Sequence, residues 1–193
     1  MATSVLLFVG LDQNGDNNLW VTDGTAAGTS EISVAGVGSE GLFGLPPALP
    51  YFAASPDGRV LFNGIDARGD FNLWVTNGTA AGTSEISLAK QDPGGLNPQF
   101  LTVFGSKVLF EGVDKNHDGN LWVTNGTAVG TSELSVKGQH PHSFVPQDFA
   151  VLGSKVLFNG QDSSNNYDLW VTNGTAAGTS EISVPSTRPC GRI

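Results

Sequence analysis

Two sets of residues recur in this sequence with types and spacing that could do chemistry. The first is a series of polar loops opened by Asp12, Asp66, Asp114 and Asp162, each a few residues ahead of a Leu-Trp pair. In DKNHDGN, Asp114, Asn116, Asp118 and Gly119 stand at the alternate-residue spacing of a calcium-binding turn, and the first loop keeps Asp12, Asn14 and Asp16. Calcium is therefore a candidate ligand of these two loops. The second loop has Arg68 at its third position, where a cation opposes a bound cation. The fourth, DSSNNYD, has Ser164 and Asn166. No Glu stands at the twelfth position, which is Asn125 in the third loop, so an EF-hand is excluded. Asx-type turns that cap a hairpin account for the four aspartates without a metal, and that is the preferred reading.

The second set could bind sugar. Trp20, Trp74, Trp122 and Trp170 share one sequence context. An indole face stacks on the C–H surface of a sugar and its N–H offers one hydrogen bond, although a tryptophan recurring once per repeat also suits a core. Glu31, Glu85, Glu133 and Glu181 recur as acceptors, and Asn63, Glu111 and Asn159 follow a recurring phenylalanine, with Val9 at that place in the first copy. Any of these polar groups can equally satisfy neighbouring backbone N–H groups. Other motifs fail on context. His140 and His142 form H-x-H with only His117 elsewhere, short of the convergent ligands zinc requires. Gly36, Gly38 and Gly41 spell G-x-G-x-x-G, but GLFGLPPALP follows instead of a helix. The N-G-T phrases at Asn77, Asn125 and Asn173 read as turns before they read as glycan acceptors.

The elements that must position these residues come from a fourfold repeat. The tryptophans are 54, 48 and 48 residues apart, and Phe8, Phe62, Phe110 and Phe158 keep the same steps. Each unit has a short apolar run such as VLFNG, a polar loop, an LWVT run rich in aromatic and β-branched residues, an N-G or D-G turn, and an alternating SEIS segment. PYFAAS, FLTVF and FAVL in the interior linkers supply a fourth apolar strand. Four antiparallel strands per roughly 48 residues is the period of a β-propeller blade. The expectation is an all-β, single repeat domain over residues 1–193, with units at about 1–54, 55–104, 105–152 and 153–184 and a tail at 185–193. The fourth segment occurs only three times, so about fifteen strands are expected, one short of four complete blades. Unpaired edges invite pairing. The seam is closed either by the chain's own tail or by a second chain, and a homo-oligomer, a dimer completing the propeller, is the expectation.

Composition narrows the function. Nine Lys and Arg against eighteen Asp and Glu leave a net charge of −9 with no basic cluster, which excludes nucleic acid and anionic membrane as partners. No apolar run approaches the ~20 residues of a membrane span. MATSVLLFVGLD lacks a basic n-region and a cleavage site, so it reads as a first strand. Cys190 is the only cysteine and forms no intrachain disulfide. Catalysis needs an asymmetric set of groups, whereas the most regular acids, Asp12, Asp66, Asp114 and Asp162 with Glu31, Glu85, Glu133 and Glu181, recur as four equivalents, so no enzyme is expected.

The phrase LWVTDGTAAGTSE resembles a repeat of many bacterial extracellular proteins whose units carry W-x-T-D-G-T-x-x-G-T. Trp20, Thr22, Asp23, Gly24, Thr25, Gly28 and Thr29 match it, while the other copies put Asn77, Asn125 and Asn173 at the aspartate position. The resemblance implies a secreted or cell-surface, propeller-like protein with little chemistry of its own. The architecture is also similar to that of the small propeller lectins. Repetition of one shallow site suits multivalent recognition. The expected function is therefore a carbohydrate-binding lectin with several similar pockets for glycans. A structural or adhesive extracellular repeat module without a small ligand is the alternative.

Overall fold

The computed structural model describes residues 5–44 and 51–183. The C-terminal tail with Cys190, and the part of the first linker at 45–50, lie outside the described residues. Among the described residues, fifteen strands form four separate antiparallel sheets, one per repeat. The first sheet holds β1 (Leu6–Leu11), β2 (Asn17–Thr22) and β3 (Ser30–Glu31). The second holds β4 (Phe52–Ala54), β5 (Val60–Ile65), β6 (Phe71–Thr76) and β7 (Ser84–Glu85). The third runs through β8 (Gln99–Phe104), β9 (Lys107–Val113), β10 (Gly119–Thr124) and β11 (Ser132–Glu133), and the fourth through β12 (Gln147–Leu152), β13 (Lys155–Gln161), β14 (Tyr167–Thr172) and β15 (Ser180–Glu181). Each sheet is a meander in sequence order, and the first has three strands where the others have four. β8 lies against both β4 and β12, so the first strands of the complete sheets form the inner edge.

The register explains the recurring residues. Phe62 pairs with Trp74, Phe110 with Trp122 and Phe158 with Trp170, across the two long strands of each sheet. In the first three repeats the glycine two residues after the phenylalanine clears space for the indole, a Cβ on Gly64 standing 2.9 Å from Cδ1 of Trp74, whereas Gly160 clears space for the Phe144 ring. Leucines on the other face, Leu61 and Leu73 for example, point to the following blade. Three cores result, each between consecutive blades. Leu19 and Ile32 meet Phe62 and Trp74; Leu73 and Ile86 meet Phe110 and Trp122; Leu121 and Leu134 meet Phe158 and Trp170. Both faces of an interior blade are therefore buried, which is why LWV reads as a continuous apolar run.

The threonine-rich phrase is longer than the two-residue hairpin its Asn-Gly suggests. Seven residues, 77–83, separate β6 from β7 and include a 3₁₀ turn at Ala80–Gly82. Hydroxyls close it in a chain. Gly78 N donates to Thr76 Oγ1 (2.9 Å), Thr76 and Thr83 hydroxyls meet at 2.6 Å, and Thr83 Oγ1 donates to Thr79 O (2.7 Å). Asn77 Oδ1 accepts from the Thr79 amide and hydroxyl. The outer strands are shorter than the alternating SEIS segment implies, because only Ser and Glu of each copy pair with the LWVT strand.

Each linker crosses to the next blade and is fastened to both. In the second repeat, Leu96 N donates to Asn72 Oδ1 (3.0 Å), Val113 N donates to Leu96 O (2.7 Å), and Leu96 is fully buried. Leu42 and Phe144 occupy the same place beside Asn18 and Asn120. The linker that varies in sequence is thus part of the packing between blades.

Candidate functional site

A cavity of about 400 Å³ opens between the second and third blades. One wall is the start of a linker, Ser87, Leu88, Ala89 and Lys90; the other is the Thr-rich loop and outer strand of the next repeat, with Val129, Thr131, Ser132 and Glu133. Trp122 closes the floor. β10 pairs Trp122 directly with Glu133, which is why the two residue types recur together. Burial raises the Glu133 pKa, with the charges of Asp114 and Asp118 adding to the shift and Lys90 opposing it. The cavity thus holds a carboxylate, an ammonium and three hydroxyls around apolar walls.

The tryptophans contribute floor and core instead of open stacking faces. Trp74, Trp122 and Trp170 are all buried. The indole N–H groups of Trp122 and Trp170 are already given to Gly112 O (2.9 Å) and Gly160 O (3.1 Å). Those of Trp20 and Trp74 have no partner among the described residues. Trp20 alone is partly open, because no blade precedes it in the described chain. Glu31, Glu85 and Glu133 are half-buried, whereas Glu181 is exposed.

Asn63, Glu111 and Asn159 lie away from this cavity, on the strands next to the inner edge. Asn63 Oδ1 accepts from Tyr51 N (2.7 Å), so it secures the entry to β4. Glu111 pairs in register with Gln99 and Leu121, and burial alone pushes its pKa up to about 7. Gly119 makes room for it, since a Cβ there would stand 2.6 Å from Glu111 Oε1. Asn17, Phe71 and Tyr167 occupy the Gly119 position in the other repeats, so Glu111 and Gly119 form a matched exception.

The aspartate-opened loops fold as Asx turns. Asp114 Oδ1 accepts from the amides of Asn116 (2.8 Å) and Asp118 (3.1 Å), and Asp12 Oδ1 accepts from those of Asn14 and Asp16. Asn14, Asp16, Asn116 and Asp118 thus give backbone N–H groups to a central carboxylate, and the Asn116 amide also donates to Asp114 Oδ2 (3.1 Å). The Asp12 carboxyl is held below its usual pKa, chiefly by the Asp16 amide; Asp162 is held low in the same way by the Asn166 amide. Asp66 is also lowered: burial works against ionisation, but the amides of Asp70 and Arg68 and the Arg68 guanidinium outweigh it. Among the described residues, no group of three or more His, Cys, Asp and Glu side chains converges as a metal cluster. His140 and His142 face each other, and His140 Nδ1 accepts from the Ser143 amide (3.3 Å).

Lys90, Ser87, Thr131, Ser132 and Val129 carry no sequence signal as a group, because a linker and the following repeat supply them from opposite sides. Val129 alone could have been singled out, since it replaces an alanine conserved in the phrase of the other three copies and stands fully exposed on the rim.

The fold defines a propeller-type array of blade-like antiparallel sheets. Solved structures similar to it include a TolB from Agrobacterium tumefaciens (TM-score 0.52, 10% identity), with 92% of this chain and 60% of that one covered. A puromycin hydrolase (TM-score 0.60, 11% identity) is covered over 28% of its length by 97% of this chain. One of two prolyl endopeptidases studied for inter-domain dynamics (TM-score 0.55, 10% identity) is covered over 27% by 95% of this chain. The chain thus spans less than two thirds of each, and the likeness concerns the fold alone. Neither the family models nor the curated proteins compared with the chain match it.

Proposed function

We propose that this chain is a carbohydrate-binding module whose blades belong to a closed propeller, with a shallow sugar pocket between consecutive blades. The observation that carries the reading is the cavity over Trp122. Sugars are dense in hydroxyls yet have apolar faces, and a mostly apolar cleft with a few fixed polar groups suits both. Glu133, when ionised, accepts from sugar hydroxyls; Lys90 and the hydroxyls of Ser87 and Ser132 donate, while the Thr131 hydroxyl is already spent on Thr127 O. Leu88, Ala128 and Val129 meet the C–H surface. The same strand and linker positions recur as Ser33, Val34 and Glu85 at the preceding interface, and as Ser135, Val136 and Glu181 at the following one. Repetition of weak sites supports multivalent capture, where avidity exceeds a single contact by about 10²–10⁴ when target spacing fits. The repeat's resemblance to those of bacterial extracellular proteins favours a glycan on a cell surface. The fourfold equivalence of the acids favours recognition over catalysis.

A glycan array probed with labelled protein, once with calcium and once with EDTA, tests this. Selective signals that survive EDTA are expected, and Glu133→Gln should weaken the pocket it lines by about tenfold or more, the loss of one charge-assisted hydrogen bond. Titration with the best sugar should show more than one site per chain. An array blank under both conditions overturns the proposal in favour of a structural or adhesive module.

A further inference from the structure

Every interior blade junction is built from the same two halves, and among the described residues the first and fourth blades each show one unmatched half. The plug is a Val-Phe-Trp face: Val108, Phe110 and Trp122 in the third blade, Val156, Phe158 and Trp170 in the fourth. The socket is the leucine face of the preceding blade. In the first blade Leu6, Phe8 and Trp20 occupy the plug positions with no socket against them among the described residues, and in the fourth the same holds in reverse: Leu157, Leu169 and Val171 form a socket with no plug. Burial measures the vacancy with the other repeats as controls. Leu19, Leu73 and Leu121 are 0% exposed, whereas Leu169, at the same register, is 46% exposed. Val108 and Val156 are 1% and 0% exposed, whereas Leu6 is 64% exposed. Phe104 packs into the core of the next junction, but its counterpart Leu152 is 65% exposed.

A second feature matches the ends by charge. The residue at the start of each second strand reaches toward the Asn-Gly turn of the following blade. Arg59 donates to Asn125 O (2.8 Å) and Gly126 O (3.0 Å). Lys107 Cδ stands 3.9 Å from where a Cβ of Gly174 would be, and Val5 stands 3.9 Å from that of Gly78. Lys155 holds this position in the fourth blade, with no following turn. Among the described residues the turn of the first repeat is the one with no preceding blade against it, and it alone replaces asparagine with Asp23. Asp23 keeps the local cap through Oδ1, which accepts from the Thr25 amide and hydroxyl (2.9 and 2.7 Å), and adds a negative charge.

We propose that two copies of this chain join head to tail, the first blade of each seated on the last blade of the other, so that two such junctions close one ring. Leu6, Phe8 and Trp20 enter the Leu157, Leu169 and Val171 socket, and Lys155 meets Asp23 across the seam. A heterologous contact that closes on itself gives a ring, and one that does not gives a filament. Each junction brings Trp20 and Glu31 against a preceding blade, as Trp122 and Glu133 already are. The contact stands independently of sugar binding, and its test reads mass alone.

Light scattering coupled to size-exclusion chromatography on the full chain should give twice its 20.0 kDa mass. Leu6→Asp and Leu169→Asp, both at exposed positions, should keep the circular dichroism spectrum and melting behaviour of a folded chain. Each should raise the dissociation constant by about 100-fold or more, because a carboxylate is forced into an apolar contact. Mixing the two variants leaves one junction intact and puts both aspartates in the other, so the mixture should associate through the intact junction, more tightly than either variant alone and short of the wild-type ring. Asp23→Asn or Lys155→Ala should weaken association by about two- to fivefold, as for a partly exposed ion pair, and the swap Asp23→Lys with Lys155→Asp should recover it. A monomeric wild-type chain overturns the proposal. So does a dimer that either aspartate variant leaves intact, or a mixture that associates no better than either variant alone. A ladder of larger masses overturns the closed two-chain ring.

Discussion

Replacing Glu111 by asparagine, the residue found at the same place in the second and fourth repeats, should stabilise the chain at alkaline pH and leave it unchanged in acid. Burial raises the Glu111 carboxyl from 4.5 to about 7 in the folded chain, so the folded state binds its proton more tightly than the unfolded state does. Below pH 4.5 both states are protonated and the side chain carries no electrostatic penalty. Between pH 4.5 and 7 the unfolded state releases its proton first, and stability falls as pH rises. Above pH 7 both states are ionised and the full penalty persists. At about 1.4 kcal/mol per pH unit the shift sets a ceiling of about 3 kcal/mol. Glu111 is only partly shielded from water, and screening reduces this to about 1–2 kcal/mol. For a chain of this size that corresponds to roughly 2–8 °C in melting temperature. Paired thermal melts of wild type and Glu111→Asn, stepped from pH 4 to pH 9, measure it directly. The difference should be near zero at the acid end, grow between pH 4.5 and 7, and then level off. A difference flat across the range, or a wild type more stable than the variant at pH 8, would show that burial does not govern this carboxyl.

The hydroxyl chain in the Thr-rich loop predicts an unequal cost for one substitution. Thr131→Val removes the partner of the buried Thr124 hydroxyl at 2.6 Å and should cost about 1–3 kcal/mol in chemical denaturation, whereas Thr29→Val, in the more open first repeat, should cost about half as much. Asp114→Ala should destabilise the third loop by about 1 kcal/mol equally in calcium and in EDTA, because the carboxylate caps backbone amides. A melting temperature that rises on calcium addition in wild type and not in the variant would instead make this loop a metal site.

Much of the architecture is legible in the repeat. The steps between Trp20, Trp74, Trp122 and Trp170 mark one sheet per unit, and the missing fourth segment leads to the fifteen strands observed. Glycine at positions such as Gly64, and the Asp that opens each polar loop, are readable because their work is local: clearing an indole on the adjacent strand, or capping the next few amides. The Thr-rich phrase is less legible. Asn77-Gly78 looks like a tight hairpin, yet threonine hydroxyls two to seven residues apart hold a wider loop.

The candidate pocket is hardly legible at all, since Lys90 and Glu133 reach it from different blades and neither belongs to a motif with the other. By itself the sequence determines the period, the strand order, the aspartate-capped loops and the number of strands, all of which rest on contacts within one repeat. Tertiary structure decides what each repeated residue does. Leu19 and Leu169 are both followed by Trp-Val-Thr and hold the same register in their sheets, yet one is sealed and the other open. Trp122 and Trp20 differ in the same way. Burial is a property of the surface facing a residue, and that surface belongs to the adjoining blade.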